Sequence, residues 1–133
     1  MTKQYLVDTH VLLWAFTDPG KLSREIRSVL EDEKSDIYYS PISLWEISIK
    51  HGLGKLLLEG TTPEGFYAEL SESFFKCQPL RNESLISSYH LPRHHKDPFD
   101  RMLFWEALQN NLVLLSTDAA GDWYKESGLQ VIH

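Results

Sequence analysis

The chain has 133 residues, a single cysteine, and 13 lysines and arginines against 19 aspartates and glutamates, for a formal net charge of −6. That length fits one domain with a real hydrophobic core, residues 1–133, and no apolar run approaches the length of a membrane span. The acidic balance excludes a protein that holds nucleic acid by net charge alone, and the lone Cys77 excludes a disulfide framework and suits a reducing cytosol.

Met1-Thr2-Lys3-Gln4 has no signal-peptide character, because a strand pattern begins at once and spans residues 4–8. A first helix follows, with Thr9 as its N-cap and Val11, Leu12, Ala15 and Phe16 on one face, until Asp18-Pro19-Gly20 breaks it. Ser23 caps a second helix whose apolar stripe is Ile26, Val29 and Leu30. Residues 36–39 read as a short strand. Ser40-Pro41 is an N-cap and first-turn pair for a third helix over residues 42–51, ended by Gly52 and Gly54. Thr62-Pro63 opens a fourth helix through Phe66, Leu70 and Phe74. Residues 76–80 form a weak strand, and Pro79 places it at a sheet edge. Asn82 caps a fifth helix that ends near His90-Leu91-Pro92, and Asp97-Pro98 opens a sixth through Met102, Leu103, Trp105 and Leu108. Residues 112–116 give the clearest strand. A last helix over 119–127 precedes Gly128 and a final strand over 129–132. There is no repeat, low-complexity stretch or linker. Strands alternating with helices predict an α/β fold with a small, mostly parallel sheet.

Four acidic residues stand where such a chain brings them together. Asp8 ends the first strand and Asp118 follows the clearest one, so both belong at the carboxyl edge of the sheet, where ligands bind. A charge directly after Leu6-Val7 is costly without a partner. Glu46 sits in an otherwise apolar helix, either paired with Lys50 four residues on or committed to a site. Asp97 and Asp100 share a helix start. Capping explains Asp97, whereas only the helix dipole explains Asp100 without a ligand. Carboxylates this close repel, and a hard divalent cation is the usual remedy. The pattern therefore points to a metal-dependent enzyme acting on phosphate, with Asp8, Glu46, Asp100 and Asp118 as ligands and catalytic groups. The hydroxyls of Thr9, Ser116 and Thr117, and the carboxylate of Asp97, stand beside them as supports. Basic residues gather nearby: Lys50, Arg93, Lys96 and Arg101 are the candidates for phosphate contact.

A zinc site built from His90, His94 and His95 with Asp97 or Asp100 is the competing arrangement. Pro92 breaks the helix that would align His90 with His94, and adjacent His94 and His95 point apart in most backbones. Cys77 reads as a small buried hydrophobe, since nothing beside it would lower its pKa.

Four stretches together resemble a known family: Val7-Asp8-Thr9-His10; residues 40–50 (SPISLWEISIK) with Gly54-Lys55-Leu56; residues 95–103 (HKDPFDRML); and Ser116-Thr117-Asp118. In order and spacing, across essentially the whole chain, they resemble the PIN-domain ribonucleases, and most of all the VapC-like toxins of bacterial toxin–antitoxin systems. The resemblance implies a single PIN domain, Mg²⁺ or Mn²⁺ at an acidic cluster that maps to Asp8, Glu46, Asp100 and Asp118, and hydrolysis of single-stranded or looped RNA. It also implies a cytoplasmic homodimer restrained by a cognate antitoxin. Two stretches depart from the family pattern, Ala120-Gly121-Asp122 and Phe104-Trp105-Glu106. A PIN-fold module that binds RNA or protein without catalysis is the alternative from another class. A phosphatase or a DNA nuclease would use the same carboxylates.

Overall fold

The computed structural model describes residues 3–133. Five short strands, β1 (Lys3–Val7), β2 (Ser35–Tyr39), β3 (Lys76–Cys77), β4 (Val113–Leu115) and β5 (Val131–Ile132), form one sheet in the order β3-β2-β1-β4-β5, with every pairing parallel. The helices are α1 (Thr9–Thr17), α2 (Arg24–Glu31), α3 (Pro41–Gly52), α4 (Pro63–Ser71), α5 (Asn82–Ser87) and α6 (Pro98–Asn110), with 3-10 turns at Pro19–Lys21, Ser88–His90 and Ala119–Ser127.

Alternation along the strands sorts the core into two layers. Tyr5, Val7 and Leu115 face a cluster that Val11, Leu12, Ile26, Phe66 and Leu70 complete from α1, α2 and α4. Leu6 and Leu114 face the other way, onto Leu103, Phe104 and Ala107 of α6 and onto Tyr124. Both faces of the central strands are therefore dry, which is why β1 and β4 read as unbroken apolar runs. Each fully buried side chain of this kind contributes about 1.5–3 kcal/mol. The third helix gives Ile47 to the first layer and Ile42 to the second, so it lies across the end of the sheet.

The chain runs outward from β1 through β2 to β3, then returns to add β4 and β5 on the other side. That reversal puts the topological switch point between β1 and β4, the place where ligands bind in open parallel sheets. Val7 pairs with Leu115, and the Asp8 N–H donates to the Leu115 carbonyl at 2.9 Å, which fixes the two strand ends side by side.

Four of the expected caps form as read. Ser23, Ser40, Thr62 and Asp97 accept from the N–H groups of Ile26, Ile42, Gly65 and Phe99. Elsewhere the structure corrects the local reading. Asp8, not Thr9, caps α1, and Thr9 is its first residue. Arg81 precedes α5 with no side-chain cap, and Asn82 is already helical. The last helix is a 3-10 segment, in keeping with Gly121, Asp122 and Ser127 along it. It also lies close to the sheet: a Cβ on Gly121 would stand 3.1 Å from Val131 Cγ2. Cys77 is exposed at the sheet edge rather than buried, and Pro79 falls outside the two-residue β3. No helix among the described residues is long and apolar enough to cross a membrane.

Candidate metal centre

The buried polar side chains of Asp8, Thr9, Ser43, Glu46 and Ser116 lie at or just beyond the strand ends, from the end of β1 to α3 and the turn after β4. Asp8 is the anchor. Its Oδ1 accepts from the Val11 N–H at 2.8 Å, and its Oδ2 accepts from Ser116 Oγ at 2.7 Å and the Thr117 N–H at 3.2 Å. Burial pushes its carboxyl above the ordinary range, against the pull of these donors and of His10. Ser116 Oγ also accepts from the Asp118 N–H at 3.0 Å, so one hydroxyl couples the end of β1 to the turn carrying Asp118.

Glu46 is 2 % exposed on α3. Thr9 Oγ1 donates to its Oε1 at 2.6 Å and lies 3.0 Å from Ser43 Oγ. Lys50 Nζ donates to its Oε2 at 2.5 Å, which settles the pairing left open by the i,i+4 spacing. This bond, with the charges of Asp97 and Asp100 added, holds the Lys50 ammonium above its usual range. Lys50 therefore stands within the field of Glu46, Asp97 and Asp100.

Asp100 projects from the first turn of α6, where Asp97 caps the Phe99 and Asp100 N–H groups at 2.8 and 3.1 Å. Its carboxyl is pushed up by burial and by the negative charges of Asp97 and Glu46, while a hydrogen bond to His95 pulls the other way. His95 Nε2 lies 2.9 Å from Asp100 Oδ2. Asp118 is exposed, its Oδ1 capping the Ala120 N–H at 2.9 Å. One ligand atom from each of His95, Asp100 and Asp118 falls within a 4.8 Å span. Asp8 and Glu46 lie outside this trio: Asp8 is linked to the Asp118 turn through Ser116, and Glu46 reaches Asp100 through its charge. Two carboxylates and one imidazole nitrogen, backed by two further acids, suit a divalent cation that takes oxygen ligands and tolerates nitrogen. Lys50 on Glu46 and His95 beside Asp100 are the ion-pair contacts given for these acids.

His95 is the functional residue that sequence reasoning undervalued. Its ring lies 6.0 Å from Phe104 and 5.5 Å from Trp123, centroid to centroid. Its backbone N–H donates to Tyr124 Oη at 2.9 Å, and Tyr124 donates in turn to the Pro92 carbonyl at 2.7 Å. The other histidines diverge from it: His94 packs on Tyr124 and His90 on Tyr89, so they and His95 form no cluster. Arg101 turns inward. Its guanidinium donates to the carbonyls of Leu91, Pro92 and His95 at 3.0, 2.9 and 3.3 Å, clasping the loop that carries His95. Arg93 and Lys96 remain exposed on that loop. Among the other bulky side chains, Phe66 belongs to the core, whereas Trp45 is 60 % exposed.

Comparison with known proteins agrees with this geometry. The family model described as the PIN domain matches residues 5–123. No curated protein sequence matches the chain. Among solved structures, the chain is similar to the DNA-bound VapBC of Salmonella typhimurium, with a TM-score of 0.68, 18 % identity, and coverage of 99 % of this chain and 98 % of that one. It is also similar to VapBC2 of Rickettsia felis bound to a promoter DNA fragment, with a TM-score of 0.67 and 16 % identity over 97 % of each chain. FitAcB of Neisseria gonorrhoeae gives a TM-score of 0.65 and 18 % identity over 97 % of this chain and 96 % of that one. Identities this low speak for the shared fold, and the family match extends over most of the sequence. With an all-parallel sheet in the order β3-β2-β1-β4-β5 and a family match over residues 5–123, the chain belongs to the PIN domain family.

Proposed function

We propose that the chain is a Mg²⁺- or Mn²⁺-dependent endoribonuclease, the toxin member of a VapC-like toxin–antitoxin pair. The observation that carries this reading is the convergence of Asp100, Asp118 and His95 within 4.8 Å in a PIN fold. Asp100 and Asp118 would hold the cation, with Asp8 and Glu46 completing the charge around it. When bound, the cation offsets the carboxylates, polarises the scissile phosphate and lowers the pKa of an attacking water. Glu46, fixed by Thr9 and Lys50, would orient the attacking water and take up its proton. Ser116 and Thr117 hold Asp8, and Asp97 holds the helix start that aims Asp100.

Attack in line breaks the bond from phosphorus to the 3′-oxygen, leaving a 5′-phosphate and a 3′-hydroxyl. The ribose 2′-hydroxyl takes no part. Arg93 and Lys96 are the candidates for phosphate contact, with Lys50 bonded to Glu46, while Arg101 serves by holding the loop that carries Arg93 and Lys96. The VapBC and FitAcB structures among the structural relatives support an antitoxin partner; a cytoplasmic homodimer is what the sequence resemblance implies.

A silent RNA- or protein-binding module is the second reading, and the complete acidic set speaks against it. Calorimetric titration with Mg²⁺ and Mn²⁺ separates the two. The nuclease reading expects saturable binding that Asp100→Asn weakens at least tenfold. No binding of either ion by the folded chain would leave the silent module.

A further inference from the structure

Two tryptophans stand open next to elements of the acidic group. Trp45 precedes Glu46 on α3, is 60 % exposed, and packs at 5.5 Å and 77° on Phe99, the neighbour of Asp100. Trp123 lies on the 3-10 segment that Asp118 caps, is 53 % exposed, and packs at 5.5 Å and 71° on His95. Each ring is thus buttressed by an aromatic group that touches or adjoins a site residue, and more than half of each is left to solvent. An exposed tryptophan held nearly perpendicular to its support keeps its position without being covered.

The charges near the site do little to hold a strand. The chain carries a formal −6, Lys50 is bonded to Glu46, and Arg101 is spent on loop carbonyls, which leaves Arg93 and Lys96. Affinity for a polyanion must then come from something other than charge. Aromatic stacking of unpaired bases supplies about 1–3 kcal/mol per base, or about 5–150-fold in affinity, and needs no sequence match.

We propose that Trp123, beside His95, and Trp45, beside Phe99, are base-stacking platforms that receive unpaired bases of the strand held at the site. This assignment rests on the nuclease reading and deepens it: the substrate is a strand whose bases are free to leave their own stack, and a duplex is refused because its bases are not. Trp45 also couples α3 to α6 through Phe99, so a seated base would press on the helices that carry Glu46 and Asp100.

The test is fluorescence anisotropy with a dye-labelled unpaired RNA of about eight nucleotides, within the usual range for such sites. A strand of equal length made of abasic nucleotides is run in parallel. The protein is the full chain carrying Asp100→Asn, so that the strand stays intact. Trp45→Ala and Trp123→Ala should each weaken the base-bearing strand by about 5–150-fold. Neither should change binding of the abasic strand, and Trp45→Phe and Trp123→Phe should recover most of the loss. Alanine variants that bind the base-bearing strand as tightly as their parent overturn the proposal. So do variants that weaken both strands equally, since that is the signature of collapsed packing around His95 or Phe99. Loss of self-association at unchanged strand affinity would give the surface to a second copy of the chain instead. A parent that binds neither strand would overturn the nuclease reading itself, a different result from any of these.

Discussion

The imidazole of His95 meets the carboxylate of Asp100 at 2.9 Å, and the two residues are held by separate devices. Asp100 is aimed by the Asp97 cap of α6. His95 is fixed by Tyr124 Oη on its N–H and by Arg101 on its carbonyl. A site built this way keeps its fold when the ligand is substituted and loses stability when a support is.

Asp100→Asn should therefore reduce cleavage by at least the roughly 10²–10³-fold typical of losing one strong electrostatic stabiliser. Its metal-free melting temperature should hold or rise, because repulsion from Asp97 and Glu46 is relieved. Asp8→Asn should be as inactive but less stable than Asp100→Asn, since one face of its amide would set a donor against the Thr117 N–H. Near-parental cleavage by either variant removes that residue from the site. Melting curves without metal check the stability order.

Asp97 and Asp100 separate by role. Asp97→Ala deletes the acceptor for two N–H groups at the start of α6 and should cost about 0.5–2 kcal/mol of stability, with a smaller effect on activity at saturating Mg²⁺. Asp100→Ala should do the reverse. Denaturant titration and cleavage rates, measured on both variants, read the two effects. A stable but inactive Asp97→Ala would exchange the cap and ligand assignments.

Glu106 sets a pH dependence unrelated to the metal site. It is buried on α6. Ser40 Oγ donates to its Oε2 at 2.6 Å, while its Oε1 has no partner, and burial pushes its carboxyl up to about 7. Between its ordinary value of 4.5 and about 7 the folded chain keeps a proton that the unfolded chain has released. Stability should therefore fall as pH rises through that window, by up to about 1.4 kcal/mol per unit from this group, and level off above it. Glu106→Gln should flatten that slope and be more stable than the parent at pH 8. Urea titrations at pH 5, 6, 7 and 8 decide the matter, and an unchanged slope would mean that Glu106 is ionised throughout.

Much of the fold was legible because its signals are local. The apolar runs of β1 and β4, and the Ser40-Pro41, Thr62-Pro63 and Asp97-Pro98 starts, each declare themselves within a few residues. So does the position of Asp8 and Asp118 at strand ends. What stayed hidden depends on distant partners. Asp8 is held by Ser116, 108 residues away, and Ser40 is tied to Glu106 across 66. Arg101 read as a phosphate contact because its sequence neighbours are acidic and basic, whereas the carbonyls it clasps lie on a loop whose path no periodicity encodes. His95 looked like one of three equivalent histidines until Tyr124, an unremarked residue of the last segment, fixed its backbone. The exposed Cys77 followed from its place on an edge strand of two residues, which composition alone does not reveal.

The central claim is metal-dependent hydrolysis of RNA at the Asp100 centre, and one cleavage assay tests it most directly. An end-labelled, unstructured RNA is incubated with the purified chain in Mg²⁺ or in EDTA, and the termini of the products are identified. The account predicts internal cleavage in Mg²⁺ that EDTA abolishes, with 5′-phosphate and 3′-hydroxyl ends, and a loss of at least about 10²-fold in Asp100→Asn. Cleavage that persists in EDTA and leaves a 2′,3′-cyclic phosphate would contradict it.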